Sequence, residues 1–153
     1  MGKIIALLLA LLCLGGCAAP KPETQMVNPM EKVNGFEDIN AGIGCNMHAA
    51  EGFEVENESF YLINAQPKVG QYRFDLDGIT YTLRAATSKE DISGIYLPEG
   101  TFGQVADQSG EDTIVFAEGQ CTRWFVGEMQ YTLHSNNTNS STEALMTMQK
   151  ALQ

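Results

Sequence analysis

The stretch Tyr72-Arg73-Phe74-Asp75-Leu76-Asp77-Gly78-Ile79-Thr80-Tyr81-Thr82-Leu83-Arg84 decides the fold. Tyr72, Phe74 and Leu76 alternate with Arg73 and Asp75, and Ile79, Tyr81 and Leu83 alternate with polar residues. A period of two puts each apolar set on one face of a strand, so these are the expected core sides. Asp77-Gly78 stands between them. Glycine accepts positive φ, and Asp-Gly between alternating segments predicts a tight antiparallel hairpin.

Working outward, residues 59–65 (SFYLINA) are rich in strand formers, and residues 93–97, 101–106 and 113–117 are further strand candidates. Pro98-Glu99-Gly100 and Asp107-Gln108-Ser109-Gly110 separate the last three as turns. Residues 120–126 pair naturally with residues 129–135 across Gly127-Glu128, where a Gly-X dipeptide predicts a type II′ turn. Short strands in succession, joined by tight turns, predict an antiparallel sheet of about six to eight strands rather than βαβ units. Asn34 to Ala41 reads as a short helix, with Asn34 as N-cap, Glu37 and Asp38 in the first turn, and Gly42 and Gly44 as stops. A second helix runs from a cap at Ser140 to about Leu152, with Glu143 three residues after the cap. Its Leu145, Met148 and Leu152 form one apolar stripe, flanked by Met146 and Ala151, that must pack on the sheet for so short a helix to be stable. The expected class is therefore α+β, with an N-terminal and a C-terminal helix on one antiparallel sheet.

The first residues carry a different message. Lys3 precedes a continuous apolar run from Ile4 to Leu12, which is shorter than the about 20 apolar residues of a membrane span. Leu14-Gly15-Gly16-Cys17 follows and resembles the lipobox of bacterial lipoproteins. That resemblance implies cleavage before Cys17, acylation of its thiol and amino group, and a membrane partner held through that lipid. The expected organisation is a signal peptide over 1–16, a lipidated cysteine with a flexible tether over 17–29, and a single extracytoplasmic domain over 30–153. Residues 18–29 (AAPKPETQMVNP) are polar, Pro-containing and aperiodic, as a tether should be. The chain holds 19 Asp and Glu against 9 Lys and Arg, a net charge of −10. Such a surface repels phosphate backbones, so nucleic acid is not an expected partner.

Four cysteines are present. Cys13 lies in the signal and Cys17 is the expected lipidation site, which leaves Cys45 and Cys121 as an even pair in an oxidising compartment. A disulfide between them is expected. It would close a loop of roughly 75 residues, for which chain entropy gives about 4–5 kcal/mol. The alternative is two separate buried thiols. His48 and His134 are the two histidines, and neither sits in a metal-ligand spacing with the cysteines.

Motifs for chemistry are sparse, and no catalytic residue, cofactor or metal site is expected. Asp75-Leu76-Asp77-Gly78 lacks the length and the final glutamate of a calcium loop. Cys121 and His134 could face each other across the last hairpin, but a disulfide cysteine and a surface strand histidine explain both. The aromatic residues say more. Trp124 and Phe125 are adjacent on a strand and must point to opposite faces, so one of them lies outside the core or under a covering element.

Several segments together resemble a known family: Asn28-Pro29-Met30, Ile79 to Ala86 (ITYTLRAA), Ser88 to Tyr96 (SKEDISGIY), Thr122-Arg123-Trp124, and the strand–helix ending from Tyr131 to Leu152. They look like the domain of unknown function 4367, found in small lipoproteins and at the outer ends of membrane-anchored proteins. The resemblance implies an extracytoplasmic α+β domain with a sensing or envelope-binding role and assigns no catalytic residue. The candidate ligand-binding residues are Arg84, Tyr96, Arg123 and Trp124, the two arginines being isolated positives in an acidic chain. The expected function is non-catalytic binding of an envelope component, whether protein, peptide or glycan, by a membrane-anchored domain. Two alternatives stand beside it: an envelope-polymer hydrolase using His134 or carboxylates, and a small lipid-carrier-like cavity protein.

Overall fold

Strands β3 (Val69–Leu76) and β4 (Ile79–Thr87) form the hairpin that the alternation predicts, with Leu76 opposite Ile79 and Tyr72 opposite Leu83. Asp77 and Gly78 turn the chain with φ of 51° and 76°, both left-handed, as a type I′ hairpin requires. Both strands run further from the turn than the period alone indicated. The computed structural model describes residues 29–95, 114–116, 121–137 and 142–152. Expected strand 101–106 and the Ser140 cap lie outside those residues.

The remaining elements are β1 (Met30–Val33), α1 (Phe36–Ile43), β2 (Glu56–Ile63), β5 (Ile114–Phe116), β6 (Cys121–Val126), β7 (Met129–Ser135) and α2 (Thr142–Ala151). The strands form one seven-stranded sheet in the order β1-β2-β3-β4-β7-β6-β5, every neighbouring pair antiparallel. The sheet is thus two meanders, β1 to β4 and β5 to β7, joined where β4 pairs with β7 from Tyr81–Ser135 to Thr87–Met129.

Register then sorts the side chains. One face carries Phe60, Tyr72, Phe74, Tyr81, Leu83, Ala85, Trp124, Tyr131 and Leu133, which belong to or pack on the main core with Ile39, Leu145, Met148 and Leu152 from the helical side. Aromatic rings run across it: Phe60 on Tyr72, Tyr72 on Phe74 and Phe74 on Tyr81 stack at centroid distances of 5.1, 4.8 and 5.4 Å. Phe36 of α1 meets Phe60 and Tyr72 edge-on. The α2 stripe of Leu145, Met148 and Leu152 is buried as expected. Close approach of α1 depends on Gly70, where a Cβ would meet Ile39 Cγ2 at 2.5 Å and Ile43 Cδ1 at 2.8 Å.

Some local expectations need correction. The helix N-cap is Gly35 rather than Asn34. Asp38 instead accepts from the Asn34 backbone N–H at 2.9 Å and from its side-chain amide at 3.2 Å. Gly42 lies inside α1 against Leu62, and Gly44, in the left-handed region, is the stop. Residues 93–95 form no strand, because Asp91 and Ser93 side chains capture the backbone N–H groups of Ser93 and Ile95. Finally, Cys45 and Cys121 are not bonded; both are free thiols. Cys45 follows α1 and packs on the helical side of the sheet. Cys121 opens β6, where alternation turns Trp124 to the helices and Cys121 with Arg123 to the other face. The sheet itself stands between the two sulfurs.

Candidate functional site

The second sheet face, away from the helices, gathers most of the unusual polar side chains. Arg84 projects there from β4 because its neighbours Leu83 and Ala85 are committed to the core. Its Nε donates to Gln71 Oε1 at 2.8 Å and its Nη1 donates to the Ile92 carbonyl at 3.2 Å. Gly94 completes the enclosure. It has φ of +70°, and any Cβ there would collide with the Arg84 guanidinium. Burial lowers the Arg84 pKa, and the Asp91 carboxylate nearby opposes that effect.

The same segment is fastened twice more. Gln130 Nε2 donates to the carbonyls of Ser88 at 2.9 Å and Glu90 at 3.0 Å. Asp91 accepts from the Ser93 hydroxyl at 2.7 Å, and the Ser93 oxygen accepts from the Ile95 N–H at 3.2 Å. Residues 88–95 therefore form a strap across the second face, and Arg84 is one of its anchors.

Arg123 shares this face with Arg84. Each stands opposite Thr132, from β6 and β4 respectively, so the two lie about 10 Å apart across three strands. The Arg123 Nε is buried without a hydrogen-bond partner among the described residues. Trp124 goes the other way. It is 3 % exposed and stacks on Tyr131 at 5.4 Å, which makes it a core side chain. Tyr96 lies outside the described residues. The structure thus brings Arg84 and Arg123 onto one face and separates Trp124 from them.

His134 does stand opposite Cys121 on neighbouring strands. Burial, and then the Arg84 charge, lower the His134 pKa, so the ring is neutral at neutral pH. Burial pushes the Cys121 thiol well above its ordinary range, and its Sγ–H points to the Thr122 carbonyl at 3.6 Å. Both groups rest neutral, unlike the thiolate–imidazolium pair of a cysteine nucleophile. No group of three or more His, Cys, Asp or Glu able to hold a metal occurs among the described residues. None of their helices is long and apolar enough to cross a membrane.

The accessible feature is Phe125, 40 % exposed on the second face, followed by Val126 at 60 %. It borders a groove of about 360 Å³ lined by Thr87, Ser88, Lys89, Gly127 and Glu128. The β6–β7 turn forms one wall and the start of the strap forms the other. Gly127 has φ of 62°, as the Gly-X turn predicts, and Val126 stands opposite Met129. Sequence reasoning identified the split between Trp124 and Phe125, left open which ring is exposed, and named Trp124 as a candidate ligand-binding residue; the exposed ring is Phe125. The signal that decides it is the parity of Trp124 with Thr122, whose opposite partner is the core residue Leu133.

No protein-family model matches this chain, and neither a curated protein nor a solved structure matches it. The resemblance to the domain of unknown function 4367 rests on the quoted sequence segments alone.

Proposed function

We propose that this chain is a lipid-tethered, extracytoplasmic binding domain that acts without catalysis, and that it holds an envelope component in the groove beside Phe125. The observation that carries this reading is an exposed aromatic ring next to a polar-rimmed recess of about 360 Å³. Small-ligand sites occupy roughly 300–1,000 Å³ and combine an apolar surface with a few convergent polar groups. Phe125 supplies the apolar surface, and Thr87, Ser88, Lys89 and Glu128 supply the polar rim. The net charge of −10 favours neutral or cationic ligands. The Leu14-Gly15-Gly16-Cys17 segment supports the tether and, with it, a groove on the outer side of a membrane.

The test titrates the full chain in detergent with soluble peptidoglycan fragments while backbone amide shifts are followed by NMR. Shifts should centre on Lys89, Phe125 and Glu128. Phe125→Ala should weaken binding about tenfold, the loss expected on truncating an aromatic anchor. Shifts elsewhere, or an unchanged affinity in that variant, would remove the groove from the reading. Cys17→Ser should move the protein from the membrane to the soluble fraction, and its retention there would count against the tether.

The lipid-carrier alternative draws on a recess of about 260 Å³ between α2 and the β3–β4 hairpin, lined by Phe53, Ile79, Tyr81 and Met148 among others. It is smaller than the groove beside Phe125 and lies at the margin of a filled core.

A further inference from the structure

The strand register gives the sheet two ends. Met30, Ile63, Val69, Thr87, Val126 and Met129 stand at one, and Asp75, Leu76, Ile79 and Ser135 stand at the other. The chain enters β1 at the first end, where the Asn64 N–H donates to the Pro29 carbonyl at 2.7 Å. Among the described residues four large apolar side chains are exposed, and three of them, Met30, Phe125 and Val126, belong to this end. The fourth, Phe53, lies by the β3–β4 turn at the far end. Given the tether proposed above, we infer that the Met30 end of the sheet docks on a phospholipid surface, the β6–β7 turn entering the headgroup layer and the Phe125 groove facing the bilayer.

The tether and the turn fit each other in reach. Fully extended, residues 18–29 span at most about 40 Å. Five strand spacings separate β1 from β6, about 24 Å. With Cys17 anchored, the turn therefore stays within reach of the bilayer. Confinement at that range corresponds to an effective concentration of about millimolar, so a weak insertion is enough to hold the domain down. The turn has the shape for it. Phe125 and Val126 are adjacent on β6 and leave it on opposite faces, so they flank the tight Gly127-Glu128 tip as a wedge. Apolar side chains at such a tip gain by entering the boundary between headgroups and acyl chains.

Charge selects the same end. The far end carries Glu56, Asp75 and Asp77. The Met30 end carries Lys68 and Lys89 beside Glu31, Glu90 and Glu128. A phosphatidylethanolamine surface offers phosphates to the lysines and ammonium groups to the carboxylates. The whole chain, at −10, is repelled by anionic lipid. That repulsion is weaker with the mixed end turned down than with the acidic end turned down.

The experiment uses the mature chain purified with its lipid, confirmed by mass, in nanodiscs of phosphatidylethanolamine and phosphatidylglycerol doped with a gadolinium-chelating lipid. Backbone amide signals are followed by NMR. Paramagnetic broadening should be strongest over residues 125–129, next over residues 87–90, and weakest over the 76–79 turn. A tether alone leaves the domain free to rotate, so substitutions separate docking from tethering. Phe125→Asp combined with Val126→Asp should reduce the broadening over residues 125–129 about threefold or more, with the lipid mass unchanged. Phe53→Asp, at the far end, should leave the pattern as it is. All three side chains are exposed, so these changes spare the core. Strongest broadening over residues 76–79, even broadening throughout, or indifference to the double substitution would overturn the docking and leave the tether standing. A mature chain without lipid mass would remove both. Titration with peptidoglycan fragments in detergent, where no bilayer is present, reports on the groove separately.

Discussion

Cys45 and Cys121 show how one residue type takes two characters from its surroundings. Cys45 is half-buried, and its Sγ–H donates to Asn40 Oδ1 at 3.0 Å in the segment that follows α1. Cys121 is 0 % exposed at the start of β6, the strand next to the β5 edge of the sheet. Burial raises the pKa of both, so neither is a ready nucleophile in the native fold. A thiol reagent added to native, unreduced protein should label Cys45 first, with Cys121 following only on larger opening. In denaturant without reductant both should label, and mass spectrometry of the adducts counts them. Failure to label either thiol in the unfolded chain would indicate a bond between them. Sequence parity could have warned of this outcome. Cys121 shares its parity with Arg123 and Phe125, not with Trp124, so a core Trp124 sends Cys121 to the far face.

At the level of elements, the stacked aromatic row has a pH signature. Tyr72 is enclosed in it, and its hydroxyl donates to Glu58 at 2.7 Å. Burial first, and then that carboxylate, raise the Tyr72 pKa well above the ordinary tyrosine value. A group whose folded pKa is raised stabilises the fold below its unfolded pKa, here about 10, and loses that contribution as pH rises further. Burial raises Tyr81 and Tyr131 in the same direction. Stability measured by denaturant melts should therefore fall steeply above about pH 10. Tyr72→Phe should cost about 1 kcal/mol at neutral pH and make the alkaline decline shallower. An unchanged slope would mean that the other tyrosines carry it. The elements also show what was legible beforehand. The β3–β4 hairpin could be read because one face is buried and the period of two is therefore strict. Strand β1 could not, because an exposed edge of Met-Glu-Lys-Val carries no alternation. Residues 93–95 misled because Ile92 and Ile95 look like strand residues, while the Asp91 and Ser93 side chains, which decide the local backbone, signal only a turn. The candidate site was half legible: alternation set Arg84 apart from Leu83, but nothing in the sequence told which face the helices would cover.

For the whole molecule, the seam between β4 and β7 has a consequence for what covalent continuity contributes. Among the described residues β4 and β5 follow each other in sequence without pairing, so each meander is contiguous in sequence, with α1 belonging to the first and α2 following the second. What joins them is the β4–β7 ladder and a core shared by Leu83, Ala85, Tyr131 and Leu133. A protease cut between Ile95 and Ile114 should leave two fragments that still copurify under native conditions and part only in denaturant, as gel filtration would show. Their separation without denaturant would mean that the intact connection is needed to hold the seam. If the fragments do stay together, either half could equally close on its complement from a neighbouring molecule, so an exchanged dimer is the form of self-association this architecture permits at high concentration.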